Sequence, residues 1–528
     1  MTGKNAIGFS LSSKSERTFQ TFNPITGDLN PTHFFEATIE EVDAALVLAQ
    51  EAFLQLKKIS LEKRASFLLE IANEIAKLDD ELIQMYCLES GLSEQRALTE
   101  RSRTIFQLNS FSKEIINGDW IKASIDEADA ATFPPKPDLR KMMVGLGPVV
   151  VFGASNFPLA YSTAGGDTAS AFAAGCPVIV KSHPMHAGTG ELVAEAISRA
   201  AKKTEMPDGV FSNLNAQGFE IGQYLVQHPG VQAVGFTGSL KGGRALFDLA
   251  NQREFPIPVF AEMGSVNPIV ILPQILSEDL DLISSQITTS ITNDAGQFCT
   301  KPGVIVISRS ASSDEFVNEL KKKVVKQISL PMLNSAIFDR FEERKKEVLS
   351  SNFLSFSESD LLIENNIGRQ TVVVVDAKQY LKQHLLQQEV FGPLSIVVLC
   401  DDLIQLNSIV DSFEGQLTIS FFGTDSEMLA NKNLVQIASR KAGRVIFNGV
   451  PTGVTVCPSM NHGGPYPATT DARFTAVGID SMQRFLRPVT FQNCHQEMLP
   501  IELKDKNSLR IPRRINGEWT RRDVHKKA

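Results

Sequence analysis

Val149-Val150-Val151-Phe152, followed by Gly153-Ala154-Ser155-Asn156-Phe157-Pro158, decides the architecture. An unbroken apolar, β-branched run reads as a strand buried on both faces, since a strand with one wet face alternates polar and apolar residues. The Gly, Asn and Pro that follow end it in a loop. The same unit then recurs. The small-residue segment Ser162–Ala174 reads as a closely packed helix, Pro177-Val178-Ile179-Val180 as a strand, and Glu191–Ala201 as a helix. Val231-Gln232-Ala233-Val234-Gly235-Phe236 and Lys241–Ala250 repeat the cycle. Buried strands alternating with helices predict a parallel sheet covered on both faces, with ligands at the carboxyl ends of its strands. Val144 to Gly166 carries no charge over 23 residues, but its five glycines, Pro148, Pro158 and Asn156 make a poor membrane-spanning helix.

Outward from this block, the first 120 residues read as helical. Thr38-Ile39-Glu40-Glu41 is a capping box, and Val42, Ala45, Leu46, Ala49, Phe53 and Leu56 follow at helical spacing. Further helices are expected over Leu61–Leu78 and from Asp80 to Gly91, a left-handed terminator. Downstream, a second alternating block covers about 267–450, with strands at Pro268–Leu272, Gly303–Ile307, Thr371–Val375, Ser395–Leu399 and Arg444–Phe447. Beyond 450 the chain turns irregular and rich in Gly, Pro and Thr, and Arg521–Ala528 reads as a solvated terminus.

A chain of 528 residues, 43% hydrophobic and 21% charged, has material for about three structural units and is no disordered or fibrous protein. A net charge of −8 argues against a nucleic-acid-binding face. Cys87, Cys176, Cys299, Cys400, Cys457 and Cys494 are scattered without a CxxC pair, which suits a reduced compartment and neither a disulfide framework nor a zinc site. The N-terminus has no apolar signal segment. The expectation is a cytoplasmic protein. Phosphate-loop, zinc-helix and nucleophile-elbow signatures are absent, and Gly145-Leu146-Gly147 has Val150 where a dinucleotide fingerprint needs its third glycine. His183-Pro184-Met185-His186 reads as a loop and not as metal ligands, so no metal is expected.

The segment Asn293-Asp294-Ala295-Gly296-Gln297-Phe298-Cys299-Thr300-Lys301-Pro302 puts a cysteine in a loop. Alone it could be a small apolar residue. Phe260-Ala261-Glu262-Met263-Gly264-Ser265 ends an apolar strand with a carboxylate, aimed at the same carboxyl-end crevice or simply solvated.

Together these residues resemble the aldehyde dehydrogenase superfamily over nearly the whole chain. Its motifs occur in order: Gly153–Pro158 with Asn156-Phe157-Pro158, Val180-Lys181-Ser182, Phe236-Thr237-Gly238-Ser239, Glu262-Met263-Gly264, Gly296-Gln297-Phe298-Cys299 and Glu389-Val390-Phe391-Gly392-Pro393. The resemblance implies an α/β fold with two doubly wound, Rossmann-like parallel-sheet domains and an oligomerisation arm. It implies a cofactor domain over 1–263 with arm strands near 120–141, a catalytic domain over 264–455, and a segment 456–528 serving pocket and oligomer, dimer or tetramer. Cys299 is implied as the nucleophile, because an aldehyde hydrogen leaves as hydride only from a tetrahedral adduct. Neighbouring dipoles or a base are expected to lower its pKa. Asn156 and the Cys299 N–H are implied as oxyanion donors, and Glu262 as the base that activates water against the thioester. Lys181, Ser182, Thr237, Gly238, Ser239, Glu389 and Phe391 are implied as cofactor contacts, with the amides after Ser239 facing the pyrophosphate. Ser239 could equally be only a helix cap.

NAD-preferring relatives carry Lys-Pro-Ser-Glu, whereas Lys181-Ser182-His183-Pro184 has proline in the acid's place. A 2′-phosphate then meets no like charge, so NADP is expected over NAD. The run Met460-Asn461-His462-Gly463-Gly464-Pro465-Tyr466-Pro467, with Glu100-Arg101-Ser102-Arg103-Thr104, is similar to the 2,5-dioxovalerate (α-ketoglutaric semialdehyde) dehydrogenase branch. That implies a small aldehyde substrate bearing a carboxylate, with Arg101, Arg103 and Arg473 as candidate anchors. The alternatives are a long-chain fatty aldehyde dehydrogenase using NADP, which needs an apolar tunnel, and a catalytically silent binding protein on the same scaffold. A cysteine hydrolase would need a histidine partner for Cys299, and no histidine stands in a recognisable companion motif. Neither nucleic acid nor membrane is expected as a partner.

Overall fold

In the computed structural model, which describes residues 1–360 and 366–524, the strand Val149–Phe152 lies between Val178–Lys181 and Ala233–Thr237, parallel to both. Val259–Glu262 adds in parallel beyond Ala233–Thr237, and Phe211–Leu214 beyond Val178–Lys181. Two short N-terminal strands, Asn5–Ile7 and Ser10–Ser12, complete this seven-stranded sheet in antiparallel sense. Val149 and Val151 face one helical layer and Val150 the other, and all three are at most 1% exposed. Both faces being dry removes the polar alternation, and each such side chain stabilises the sheet by about 1.5–3 kcal/mol.

A second seven-stranded sheet runs in the order Ser355–Glu358, Thr371–Asp376, Leu394–Cys400, Val304–Ser308, Ile269–Ile271, Gln416–Phe422, Ala442–Phe447. All but the first of these strands are parallel. Its core divides in the same way, Val304 and Val306 on one side and Ile305 and Ile307 on the other. A third sheet joins Leu486–Gln492, Leu139–Gly145, Ser124–Asp126, Arg513–Ile515 and Glu518–Thr520. The mixed α/β architecture with two Rossmann-like parallel sheets is the one expected.

Four details differ from the expectations. The N-terminal region is not all helical, for Thr18–Phe22 and Leu29–Phe35 pair as a hairpin ahead of the first helix, Ile39–Leu56. These strands are too short and too mixed in polarity to register as periodic patterns. A 24-residue helix, Glu94–Asn117, follows Gly91, with Ser93 as its cap. The small-residue helix begins only at Gly166, because residues 153–165 are spent on the loop after the central strand. The terminus is pinned as far as Val524, whose N–H donates to the Asp505 carbonyl at 2.9 Å, while Asn507 N–H donates to Asp523 Oδ1. Residues 525–528 lie outside the described ones. No helix among the described residues is long and apolar enough to cross a membrane, and Val144–Gly166 is strand and loop.

Candidate active site

The order of the first sheet places its switch point at Val149–Phe152: one neighbour, Val178–Lys181, is the next strand of the chain, and the other, Ala233–Thr237, comes only after Phe211–Leu214 on the far side. Carboxyl ends beside such a point diverge and leave a crevice. Asn156 follows one of these ends, Lys181 and Ser182 a second, Thr237-Gly238-Ser239 a third, and Glu262 closes a fourth. Lys181 is buried, and its Nζ donates to the Ala216 carbonyl at 2.5 Å. Desolvation pulls its pKa down to about 8. Ser239 caps the helix Leu240–Asn251 by accepting the Gly242 N–H, and the Gly238 N–H donates to the Glu262 carbonyl. Ser182 Oγ and Glu262 Oε2 are buried without a hydrogen-bond partner. Four strand ends, a capped helix start and two orphaned buried oxygens fit a dinucleotide lying across the crevice.

Cys299 comes from the other domain, in a turn built by left-handed backbone. Asp294, Ala295 and Gly296 all have positive φ, a strain that persists only where the surroundings hold it. At Gly296 any Cβ would meet the Gly392 carbonyl group at 2.6 Å, so the turn packs directly on the Glu389–Pro393 motif. Asn267 Nδ2 donates to the carbonyls of Cys299 and Lys301, fixing the far side of the turn. Asn156 Nδ2 donates to the Gln297 carbonyl at 2.8 Å, so the amide loop of one domain touches the cysteine turn of the other. Arg96 ties the two together. Its guanidinium stacks on Phe157 and Phe298 and bridges Glu100 to Asp294, while Glu100 Oε1 accepts the N–H groups of Leu159 and Ala160.

The electrostatics of the site are those of a dry crevice. Burial pushes the Glu262 carboxyl up to about 8; Arg484 opposes the shift and Asp167, which pairs with Arg484 at 2.7 Å, adds to it. Burial also raises the Cys299 thiol to about 12, and the charges of Glu262 and Glu389 add to that shift. The expected lowering of this thiol is thus overturned, because the opposing charge of Arg103 and the Cys299 N–H are outweighed by desolvation and two carboxylates. Glu389 is raised by burial, opposed by Lys301, whose Nζ holds the carbonyls of Val390 and Leu394. Phe391 is half-buried beside this loop.

Two residues that the motifs do not assign belong here. His462 is 2% exposed, and its Nε2 lies 3.7 Å from Cys299 Sγ. Burial, then Arg444, Arg103 and Arg484, lower the imidazole to about 3. A histidine therefore does accompany Cys299, contrary to the expectation from sequence, but a thiol pushed up and an imidazole pushed down do not form the thiolate–imidazolium pair of a cysteine hydrolase. Arg444, in the strand Ala442–Phe447, is the second. Of the three candidate arginines only Arg103 reaches this region, donating to Tyr161 Oη at 3.1 Å. Arg101 pairs instead with Asp79, and Arg473 is a surface residue, its side chain 80% exposed and held by Asp471. The structure does not bring those two to the crevice, and each faces a carboxylate elsewhere.

Residues 11–487 match the aldehyde dehydrogenase family. The chain is 43% identical over 522 residues to alpha-ketoglutaric semialdehyde dehydrogenase 2 of Azospirillum brasilense, covering 98% of this chain and 99% of that one. It is 41% identical over 531 residues to alpha-ketoglutaric semialdehyde dehydrogenase of Acinetobacter baylyi, with the same two coverages. In fold it is similar to 1-pyrroline-5-carboxylate dehydrogenase from Thermus with bound NAD, at a TM-score of 0.78 and 22% identity over 93% of this chain and 92% of the other.

Proposed function

The chain belongs to the aldehyde dehydrogenase family, and on that premise we propose that it oxidises α-ketoglutaric semialdehyde (2,5-dioxovalerate) to 2-oxoglutarate, with NADP preferred over NAD. The observation that carries the chemistry is the meeting of Asn156 with the Cys299 turn across the domain boundary, near Glu262, whose Oε2 is buried with no hydrogen-bond partner among the described residues. The substrate reading draws on the two relatives above 40% identity, both named for that semialdehyde.

Cys299 acts as nucleophile. Its sulfur bonds to the aldehyde carbon as the thiol proton leaves, and His462 Nε2 is the acceptor within reach. The carbonyl oxygen takes up negative charge and is met by the Asn156 amide and the Cys299 N–H; losing one such donor costs about 3–4 kcal/mol. A bound nicotinamide, beside Glu389 and Phe391, would supply the hydride acceptor that lets the Cys299 adduct become a thioester. Glu262 then removes a proton from water, whose oxygen attacks the thioester carbon. Carboxylate product leaves and the Cys299 thiol is restored. Glu262 must be ionised for this step, and a carboxyl near 8 is poised at the working pH.

Lys181, Ser182, Thr237, Gly238 and Ser239 are the proposed contacts for the adenosine and pyrophosphate half, and Glu389 and Phe391 for the nicotinamide half. Residues 1–263 then form the cofactor domain with its arm strands near 120–141, 264–455 the catalytic domain, and 456–528 the segment serving pocket and assembly. The NADP preference rests on Pro184, which stands where the Lys-Pro-Ser-Glu relatives carry their acid. The free state of all six cysteines supports a reducing, cytoplasmic setting. Exposed Trp519 in the third sheet, with exposed Phe133 and Met498 in the segments that follow its strands Ser124–Asp126 and Leu486–Gln492, supports assembly into a homo-oligomer.

A long-chain aldehyde is the second reading. It is favoured by the apolar cluster of Ala154, Tyr161 and Val477 with Phe157, Val454, Val456 and Met460. Comparing kcat/KM for the semialdehyde and for decanal with each cofactor decides between them. A preference for decanal overturns the substrate, and a preference for NAD overturns the cofactor. Acid formation by Cys299→Ser at the native rate would overturn the mechanism.

A further inference from the structure

Arg103 and Arg444 have no carboxylate partner among the described residues, although of the other arginines of the crevice Arg96 has two and Arg484 has one. Both guanidiniums serve the same short loop. Arg444 donates to the carbonyls of Pro451 and Gly453 at 2.5 and 3.1 Å, and Arg103 to that of Val454 at 2.7 Å. In both, Nε is buried and unpartnered, so each fork keeps donors to spare. Two half-buried cations without an anion are costly unless something brings one.

Their place in the fold says what that is. Arg103 lies 5.5 Å from the Tyr161 ring, that ring lies 6.2 Å from His462, and His462 touches Cys299. Arg444 Nη1 faces Met460 Sδ at 3.9 Å, and Asn461, next to His462, holds the Gly443 carbonyl at 2.9 Å. Apolar Val454, Val456 and Met460 pack on the cluster of Ala154, Ala160, Tyr161 and Val477 beside them. The result is a nucleophile at one end, an apolar stem along the wall, and a pair of cations at the far end.

We propose that Arg103 and Arg444 form a carboxylate subsite that receives the distal carboxylate of the substrate over the 451–454 loop. This deepens the semialdehyde reading and rests on it. The rival account is that both side chains merely brace the loop. Bracing would affect every aldehyde alike, whereas a subsite acts on charged ones.

The test uses α-ketoglutaric semialdehyde and the uncharged pentanal of equal length on the full-length enzyme, Arg444→Gln and Arg103→Gln. The ratio of kcat/KM for the acid to that for pentanal should fall about 10- to 100-fold in each variant, as expected for losing charge-assisted hydrogen bonds. An unchanged ratio overturns the subsite. A second measurement needs no variant: glutarate should compete with pentanal on the wild-type enzyme, less so as salt is raised. Failure of glutarate to compete overturns the subsite even if a variant does not fold. Should the wild type reject the semialdehyde yet be inhibited by glutarate, the substrate reading fails and the subsite stands.

Discussion

His462 Nε2 lies 3.7 Å from the sulfur of Cys299, across 163 positions of sequence. With the thiol pushed up to about 12 and the ring down to about 3, the resting pair is neutral on both sides. The imidazole is neutral at every pH above about 3, so it takes no proton from the resting thiol and can receive one only as the sulfur–carbon bond forms. His462→Phe should therefore lower kcat and the rate of thiol alkylation by iodoacetamide together, by about 10²-fold. Neither rate in the wild type should show an acid limb near the ordinary histidine pKa. Alkylation of the variant at the native rate would remove the ring from the chemistry.

Glu262 gives the pH dependence its sign. Burial raises its carboxyl to about 8, and the ionised form is the one that activates water. Where thioester hydrolysis limits turnover, kcat should climb with pH and level off above about 8. Asp167→Asn removes a charge that raises Glu262 and frees Arg484, which lowers it, so both effects move the midpoint downward. The same change strands Arg484, 2% exposed, without its partner and should destabilise the fold by about 3–5 kcal/mol. A midpoint that stays near 8 in a folded Asp167→Asn enzyme contradicts this account.

Pro184 opens the short helical turn Pro184–His186 directly after Lys181 and Ser182. On the proposed reading, Pro184→Glu restores the acid that the Lys-Pro-Ser-Glu relatives carry, and its repulsion of a neighbouring phosphate costs about 1 kcal/mol in water and several when screened from it. The ratio of kcat/KM for NADP to that for NAD should fall about 10- to 100-fold. Equal losses with both cofactors would mean the change disturbs the turn rather than its selectivity.

Legibility follows the length over which a pattern is written. The parallel strands are readable because an unbroken run of β-branched apolar residues fits little besides a strand buried on both faces, and Asn156, Lys181, Thr237 and Glu262 stand where those runs end. The hairpin Thr18–Phe22 and Leu29–Phe35 is not, its buried residues being too few to outweigh the polar ones between them. His462 and Arg444 sit in a loop and a strand far from Cys299 in sequence, and only folding sets them beside Cys299 and Met460. For Arg473 the local signal is present in the sequence, since Asp471, two residues earlier, takes its guanidinium. The raised pKa at Cys299 has no sequence signature at all, because it comes from burial near Glu262 and Glu389, contributed by separate parts of the fold.

Arg96 links the Asn156 loop to the Cys299 turn, the proposed oxyanion donor and nucleophile, without touching either side chain. Its guanidinium lies 4.4 Å from the Phe157 ring and 4.7 Å from the Phe298 ring, residues adjacent to Asn156 and Cys299. Its charge joins Glu100, which holds the Asn156 loop by two backbone amides, to Asp294 in the cysteine turn. Arg96→Met keeps the apolar stack but leaves two buried carboxylates unpaired, one of them already raised by burial. Stability should fall by about 3–5 kcal/mol in chemical denaturation. In the folded fraction kcat should fall about 10²-fold with little change in cofactor affinity, since small misplacement of oxyanion donors costs that much. Adding Asp294→Asn to Arg96→Met removes one stranded charge and should restore part of the stability without restoring kcat. Recovery of both together would mean that Arg96 serves the fold alone.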